Sequence, residues 1–128
     1  MMTDSEFSTL PFPVALVVDD EPLIRMDTAD IVADEGYHVL EARTADEAFA
    51  FLREHHSLKL VFTDIQMPGE MNGLALAQRI SEEWPSICVI VASGAVSPPE
   101  GTLPATARFI PKPINAQLVQ ETLRELCP

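Results

Sequence analysis

The chain has 128 residues, 47% of them hydrophobic, and its 20 acidic against 8 basic side chains give a formal net charge of −12. That length suits one domain with a sizeable core, and the acidity excludes an electrostatic surface for nucleic acid or anionic membrane. No apolar run approaches about 18 residues and the start lacks a basic-then-apolar leader, so the expectation is a cytoplasmic chain that spans no membrane.

Residues 1–12 read as a flexible lead-in and 13–128 as one domain. Val14 to Val18 (VALVV) is a continuous apolar run, which suits a strand covered on both faces. Pro22 to Glu35 reads as a helix with Asp20 or Glu21 as N-cap, Pro22 in the first turn and Gly36 as the stop. Ile24, Thr28, Ile31 and Val32 are expected along its inner face. Tyr37 to Glu41 is a second strand. Thr44-Ala45-Asp46-Glu47 has the form of a capping box and opens a helix with Ala48, Phe51 and Leu52 inward.

Leu58 to Thr63 is a third strand, and Leu74 to Trp84 a third helix, stopped by Pro85. Ile87 to Ala92 is a fourth strand and Ala107 to Ile110 a weak fifth. Asn115 caps a last helix with Val119, Leu123 and Leu126 inward. Strand and helix alternate, which predicts an α/β fold with a parallel sheet between two helical layers. The stretch SPPEGTLPATA, Ser97 to Ala107, stands where a fourth helix belongs, and its prolines predict a helix that is short, irregular or absent.

In open parallel sheets, ligands bind beyond the carboxyl ends of the strands. Asp19, Asp20 and Glu21 follow the first strand, Asp64 the third, Ser93 the fourth and Lys112 the fifth. Two carboxylates about 4 Å apart repel by roughly 4 kcal/mol at the effective dielectric of a protein surface. A hard divalent cation would relieve that repulsion, and Mg2+ takes oxygen ligands from a few carboxylates. Asp64 is a candidate nucleophile, because a carboxylate accepts a phosphoryl group as an aspartyl phosphate when the charge around it is neutralised. The Ser93 hydroxyl and the Lys112 ammonium are placed to help.

VVDDEP (17–22), VFTDIQMPG (61–69), IVASG (90–94) and FIPKP (109–113), in this order and each after a strand, resemble the receiver domain of two-component response regulators. The likeness covers roughly residues 13 to 127, and the 44 positions from Asp20 to Asp64 match the family's spacing. The resemblance implies a flavodoxin-like, doubly wound five-stranded sheet in the order 2-1-3-4-5. It implies Asp64 as phosphoacceptor, Asp20 as direct ligand of Mg2+ with Asp19 assisting through water, and Gln66 lending its backbone carbonyl. Ser93 becomes the hydroxyl that turns toward the phosphate, Lys112 its ion-pair partner, and Phe109 the switch aromatic. A cis Lys112–Pro113 bond is implied too.

The implied function is a phosphorylation-dependent switch fed by a sensor histidine kinase or a histidine phosphotransfer protein. Output would pass through protein contact or a phosphorelay, since no output domain follows Pro128. The chain would be a monomer or weak dimer, a self-phosphorylating acceptor with slow autodephosphorylation rather than a turnover enzyme.

Some features depart from the family pattern. Ser93 to Lys112 is 19 positions, a little short; the loop PGEMNG (68–73) is slightly expanded; and Phe109 lacks the commoner tyrosine hydroxyl. VASGA (91–95) is loosely similar to the Phe-Ala-Thr-Gly motif of some stand-alone receivers, while the proline-rich segment suggests an alternative, an adaptor that binds partners without phosphorylation. Taken singly, each residue has an ordinary reading: Asp20 and Glu21 as helix caps, Asp64 and Ser93 in turns, Lys112 solvated, Phe109 in the core. His38, His55 and His56 read as solvated or structural, and Cys88 as a small buried residue. Four such accidents at four strand ends are a poor account of the pattern.

Overall fold

A computed structural model of the chain describes residues 13–55, 57–65, 72–94 and 103–126. Five strands are joined in the order β2-β1-β3-β4-β5: β1 (Val14–Val18), β2 (His38–Ala42), β3 (Leu58–Asp64), β4 (Cys88–Ser93) and β5 (Ala107–Pro111). Every neighbouring pair is parallel. Among the described residues four helices cross over between or after them: α1 (Pro22–Asp34), α2 (Ala45–Glu54), α3 (Gly73–Glu83) and α4 (Ala116–Leu126).

The all-apolar composition of β1 follows from its central place, where every residue is buried. Alternate residues of the strands feed two cores. Val14, Leu16, Val18, Val61, Val89 and Val91 meet α2 and α3 through Ala48, Leu52, Leu76 and Ile80. Ala15, Val17, Leu60, Phe62, Ile90 and Ile110 meet α1 and α4 through Ala29, Val32, Val119 and Leu123. The sheet is thus covered on both faces, as parallel sheets require.

Local signals in the sequence act as expected at three helix ends. The Thr44 hydroxyl accepts the Glu47 N–H at 3.1 Å, and Asn115 Oδ1 accepts that of Leu118 at 3.1 Å. Gly36 takes φ +98°, and its N–H donates to the Ala33 carbonyl, closing α1 with a left-handed residue.

Four expectations need correction. Glu21 is the N-cap residue of α1, but neither its side chain nor Asp20 supplies a cap; the Glu21 N–H is held instead by the carboxylate of Asp19. Ile24 turns outward, and the buried stripe is Thr28, Ala29 and Val32. Cys88 is only partly buried. Phe49, rather than Phe51, is the buried aromatic of α2; its ring meets Trp84 edge-on at 5.5 Å. The predicted irregular helix falls mostly on residues 95–102, which lie outside the described residues, as do the lead-in 1–12, Gln66, His56 and most of the 68–73 loop. The described part, residues 103–106, is a bend and turn. Among the described residues no helix is long and apolar enough to cross a membrane.

Candidate functional site

The strands stop at one edge, and the polar residues that follow them meet there. Asp19 comes directly after β1; its N–H donates to the Ala42 carbonyl, which prolongs the sheet by one bond. Asp64 is the last residue of β3, held where the next N–H, that of Ile65, donates to Ala92. Ser93 ends β4, and its carbonyl accepts the Lys112 N–H at 3.0 Å, which fixes the lysine at the end of β5. The Lys112–Pro113 bond is cis.

Asp19, Asp20 and Asp64 each offer a carboxylate oxygen, all within 4.8 Å of one another. Asp19 and Asp64 are only 4% and 9% exposed, whereas Asp20 is open to solvent. Lys112 Nζ lies 3.2 Å from Asp19 Oδ2 and 3.3 Å from Asp64 Oδ2, bridging the two buried carboxylates. Three negative charges thus face one positive one. The lysine relieves the buried pair, and an excess of negative charge stays beside the open Asp20. Converging oxygen donors with one solvated side suit a hard cation that keeps part of its water shell, so the donor set fits Mg2+.

The structure therefore gathers Asp19, Asp20, Asp64 and Lys112, with Ser93 buried at the end of the adjoining strand. Phe109 stands apart from this cluster. It pairs with Val91 on β4 and packs partly buried against the α2–α3 side of the sheet.

Two supporting residues, Arg25 and Gly73, could not be tied to the site from the sequence. Arg25, one turn into α1, donates from Nη1 to the Asp19 carbonyl at 3.0 Å and from Nε to Glu41 at 3.1 Å, tying the turn after β1 to β2. Gly73 begins α3 directly behind Asp64. A Cβ there would collide with the Asp64 carbonyl oxygen and stand 2.8 Å from its carbon, so only glycine allows this approach. Its N–H donates to Ile65, and Asn72 caps the helix through the Ala75 N–H. The Asn72-Gly73 pair before an apolar helix signals a cap; its closeness to Asp64 could not be read without the fold.

Comparison with known proteins points one way. The family model for the response regulator receiver domain matches residues 15–124. A nitrogen assimilation regulatory protein NtrX from Azorhizobium caulinodans is 40% identical over 117 residues, 87% of this chain but 25% of the relative. A chemotaxis protein CheY homolog from Campylobacter jejuni is 31% identical over 117 residues and covers 87% of this chain and 89% of its own. The chain thus spans about a quarter of the first relative's length and most of the second's. Among solved structures, a CheY-like receiver domain protein from Methanospirillum hungatei superposes with a TM-score of 0.77 at 28% identity, over 89% of this chain and 92% of that one. The receiver domain of NtrX from Brucella abortus gives 0.69 at 35% identity, over 88% and 97%.

Proposed function

The chain belongs to the response regulator receiver family, and on that premise we propose that it is a phosphorylation-dependent signalling switch whose phosphoacceptor is Asp64. The observation that carries this reading is the placement of the Asp64 carboxylate between two further aspartates and the ammonium of Lys112. A histidine kinase or a histidine phosphotransfer protein would donate the phosphoryl group. Its N–P bond breaks as an Asp64 oxygen forms the new O–P bond.

Asp19, Asp20 and Asp64 would hold a Mg2+ ion, joined by the Gln66 carbonyl. When bound, it supplies positive charge against the phosphoryl oxygens. The chain's own part is positional. Lys112, already 3.3 Å from Asp64, pairs with a phosphoryl oxygen, and burial of Asp64 keeps bulk water from the acyl phosphate. Arg25 and the Glu21 N–H keep Asp19 fixed while charge builds nearby. The phosphate adds about −1.5 to −2 charge and three acceptor oxygens. Ser93, on the strand beside Phe109, is the hydroxyl that turns to meet them, and Phe109 follows as the second half of the switch.

Leu23, Ile24 and Met26 on α1 are 76%, 38% and 56% exposed, and Ile24 lines a cavity of about 380 Å³ with Asp27, Thr28, Lys112, Pro113 and Ile114. Clustered exposed apolar side chains mark contact surfaces, and this one opens beside Lys112, where a phosphodonor must approach. Residues 13–128 act as one receiver unit in the cytoplasm, as a monomer or weak dimer, with slow loss of the phosphate by autodephosphorylation.

The test is phosphotransfer together with amide NMR. With Mg2+ and beryllofluoride, an acyl-phosphate mimic, shifts are expected at Asp64, Ser93 and Lys112 and onward to Phe109, and Asp64→Asn is expected to abolish them. A variant Asp64→Asn that still takes label from a histidine kinase would show the assignment to be wrong. Magnesium shifts without any beryllofluoride response would favour the phosphorylation-independent adaptor.

A further inference from the structure

We propose that Arg25, oriented by Glu41, is a positioning residue for cation binding: it ties the Asp19–Asp20 peptide unit to β2 and so sets how tightly the acidic pocket holds Mg2+. The proposal rests on the reading of Asp19, Asp20 and Asp64 as a Mg2+ site. Both backbone groups of Asp19 are anchored to the carboxyl end of β2. Its N–H donates to the Ala42 carbonyl at 3.1 Å, and its carbonyl oxygen accepts from Arg25 Nη1 at 3.0 Å. The same guanidinium donates from Nε to Glu41 Oε1 at 3.1 Å. The register explains the meeting. Glu41 pairs with Val17, which packs toward α1, and paired residues of neighbouring strands share a face of the sheet.

The tie bears on the pocket through covalent geometry. The Asp19 carbonyl belongs to the planar unit that carries the Asp20 nitrogen and Cα, so holding that oxygen fixes the plane from which the Asp20 side chain projects. Asp19 has its carboxylate held as well, by the Glu21 N–H at 2.9 Å and by Lys112. Asp20 is exposed, and its placement depends on its backbone. The Arg25 side chain is 15% exposed, and its planar fork reaches acceptors on two separate segments; a lysine would keep the charge and lose the fork. Glu41 lies outside the pocket, 21 positions beyond Asp20 in sequence (41 − 20), and acts through Arg25. Residues that orient metal ligands from behind commonly change affinity by about ten- to a hundredfold.

The test is calorimetry of Mg2+ binding to the full chain at constant ionic strength. Arg25→Met removes a positive charge near the pocket, so electrostatics alone would tighten binding. The positioning role has the opposite sign: the Kd should rise by about tenfold, and Arg25→Lys should not restore it. Glu41→Ala should weaken binding by a smaller factor, whereas Glu41→Gln, which keeps an acceptor oxygen in place, should stay close to the parent. Arg25→Met combined with Glu41→Ala should match Arg25→Met alone, because Glu41 acts through the arginine. Tighter or unchanged binding in Arg25→Met, full rescue by Arg25→Lys, or additive losses in the double variant would each overturn the proposal. So would a lower Tm in chelator with the parent's Kd, the signature of a plain staple between α1 and β2. A parent chain that binds no Mg2+ would overturn the metal-site reading first, and the proposal with it.

Discussion

Strand β3 begins at Leu58 and ends at Asp64, and the two ends are built on opposite terms. At the amino end Leu58 is sealed into the core with Val14, Leu52 and Ile87. There, burying apolar surface does the stabilising, at about 25 cal/mol per Å². At the carboxyl end, Asp64 shares its surroundings with two other carboxylates and one lysine. That end carries unrelieved charge which the rest of the sheet has to offset. The contrast teaches where stability and charge sit in this molecule: the strands' starts hold the sheet, and their ends hold the acidic cluster. It also implies that cations in solution should matter at one end only.

The sharpest attempt to break this contrast is Gly73→Ala. The new Cβ meets backbone behind Asp64, which cannot give way as a side chain would. Chemical denaturation should show a loss of about 3 kcal/mol or more, and phosphotransfer should fail in whatever remains folded.

Leu58→Ala should cost about 3 kcal/mol through lost burial and a cavity, by the same amount with and without magnesium. A magnesium-dependent cost there would erase the distinction between the two ends.

Lys112→Met leaves Asp19 and Asp64 without their shared cation, so about 2 kcal/mol should be lost in chelator. Millimolar magnesium should restore part of it, and the metal should bind more tightly than in the parent, as read by calorimetry. On the proposed role of Lys112 as partner of the phosphoryl oxygens, phosphoryl transfer should nevertheless slow.

Asp20→Asn should have the smallest effect and the opposite sign. Removing one exposed like charge should raise stability by about 1 kcal/mol in chelator. Magnesium should then bind more weakly and stabilise the variant less than the parent. A drop in stability without metal would mean that the cluster's repulsion is already quenched by solvent.

Much of the frame was legible because its signals are local. Apolar runs named the strands, Thr44 and Asn115 named two helix starts, and Gly36 one stop. The residue after each strand named Asp19, Asp64, Ser93 and Lys112, since a parallel sheet must bring those positions to one edge. What escaped depends on contacts between distant segments. Nothing near Arg25 tells that it will reach the Asp19 carbonyl and Glu41. Gly73 looks like an ordinary loop glycine until α3 is laid against Asp64. Ile24 satisfied the helical spacing for an inward residue and yet faces out; periodicity ranks faces, and the buried stripe is Thr28, Ala29 and Val32.

The ion pair between Lys112 and Asp19 links residues 93 positions apart, joining the last strand to the first. A contact of such sequence separation cannot form until β5 has docked on β4, so its formation belongs to the late part of folding. Losing it should therefore leave the refolding rate nearly unchanged and speed unfolding. In a stopped-flow chevron of Lys112→Met, the unfolding arm should rise while the folding arm stays in place. The lysine that faces Asp64 would then also set how long the folded state lasts.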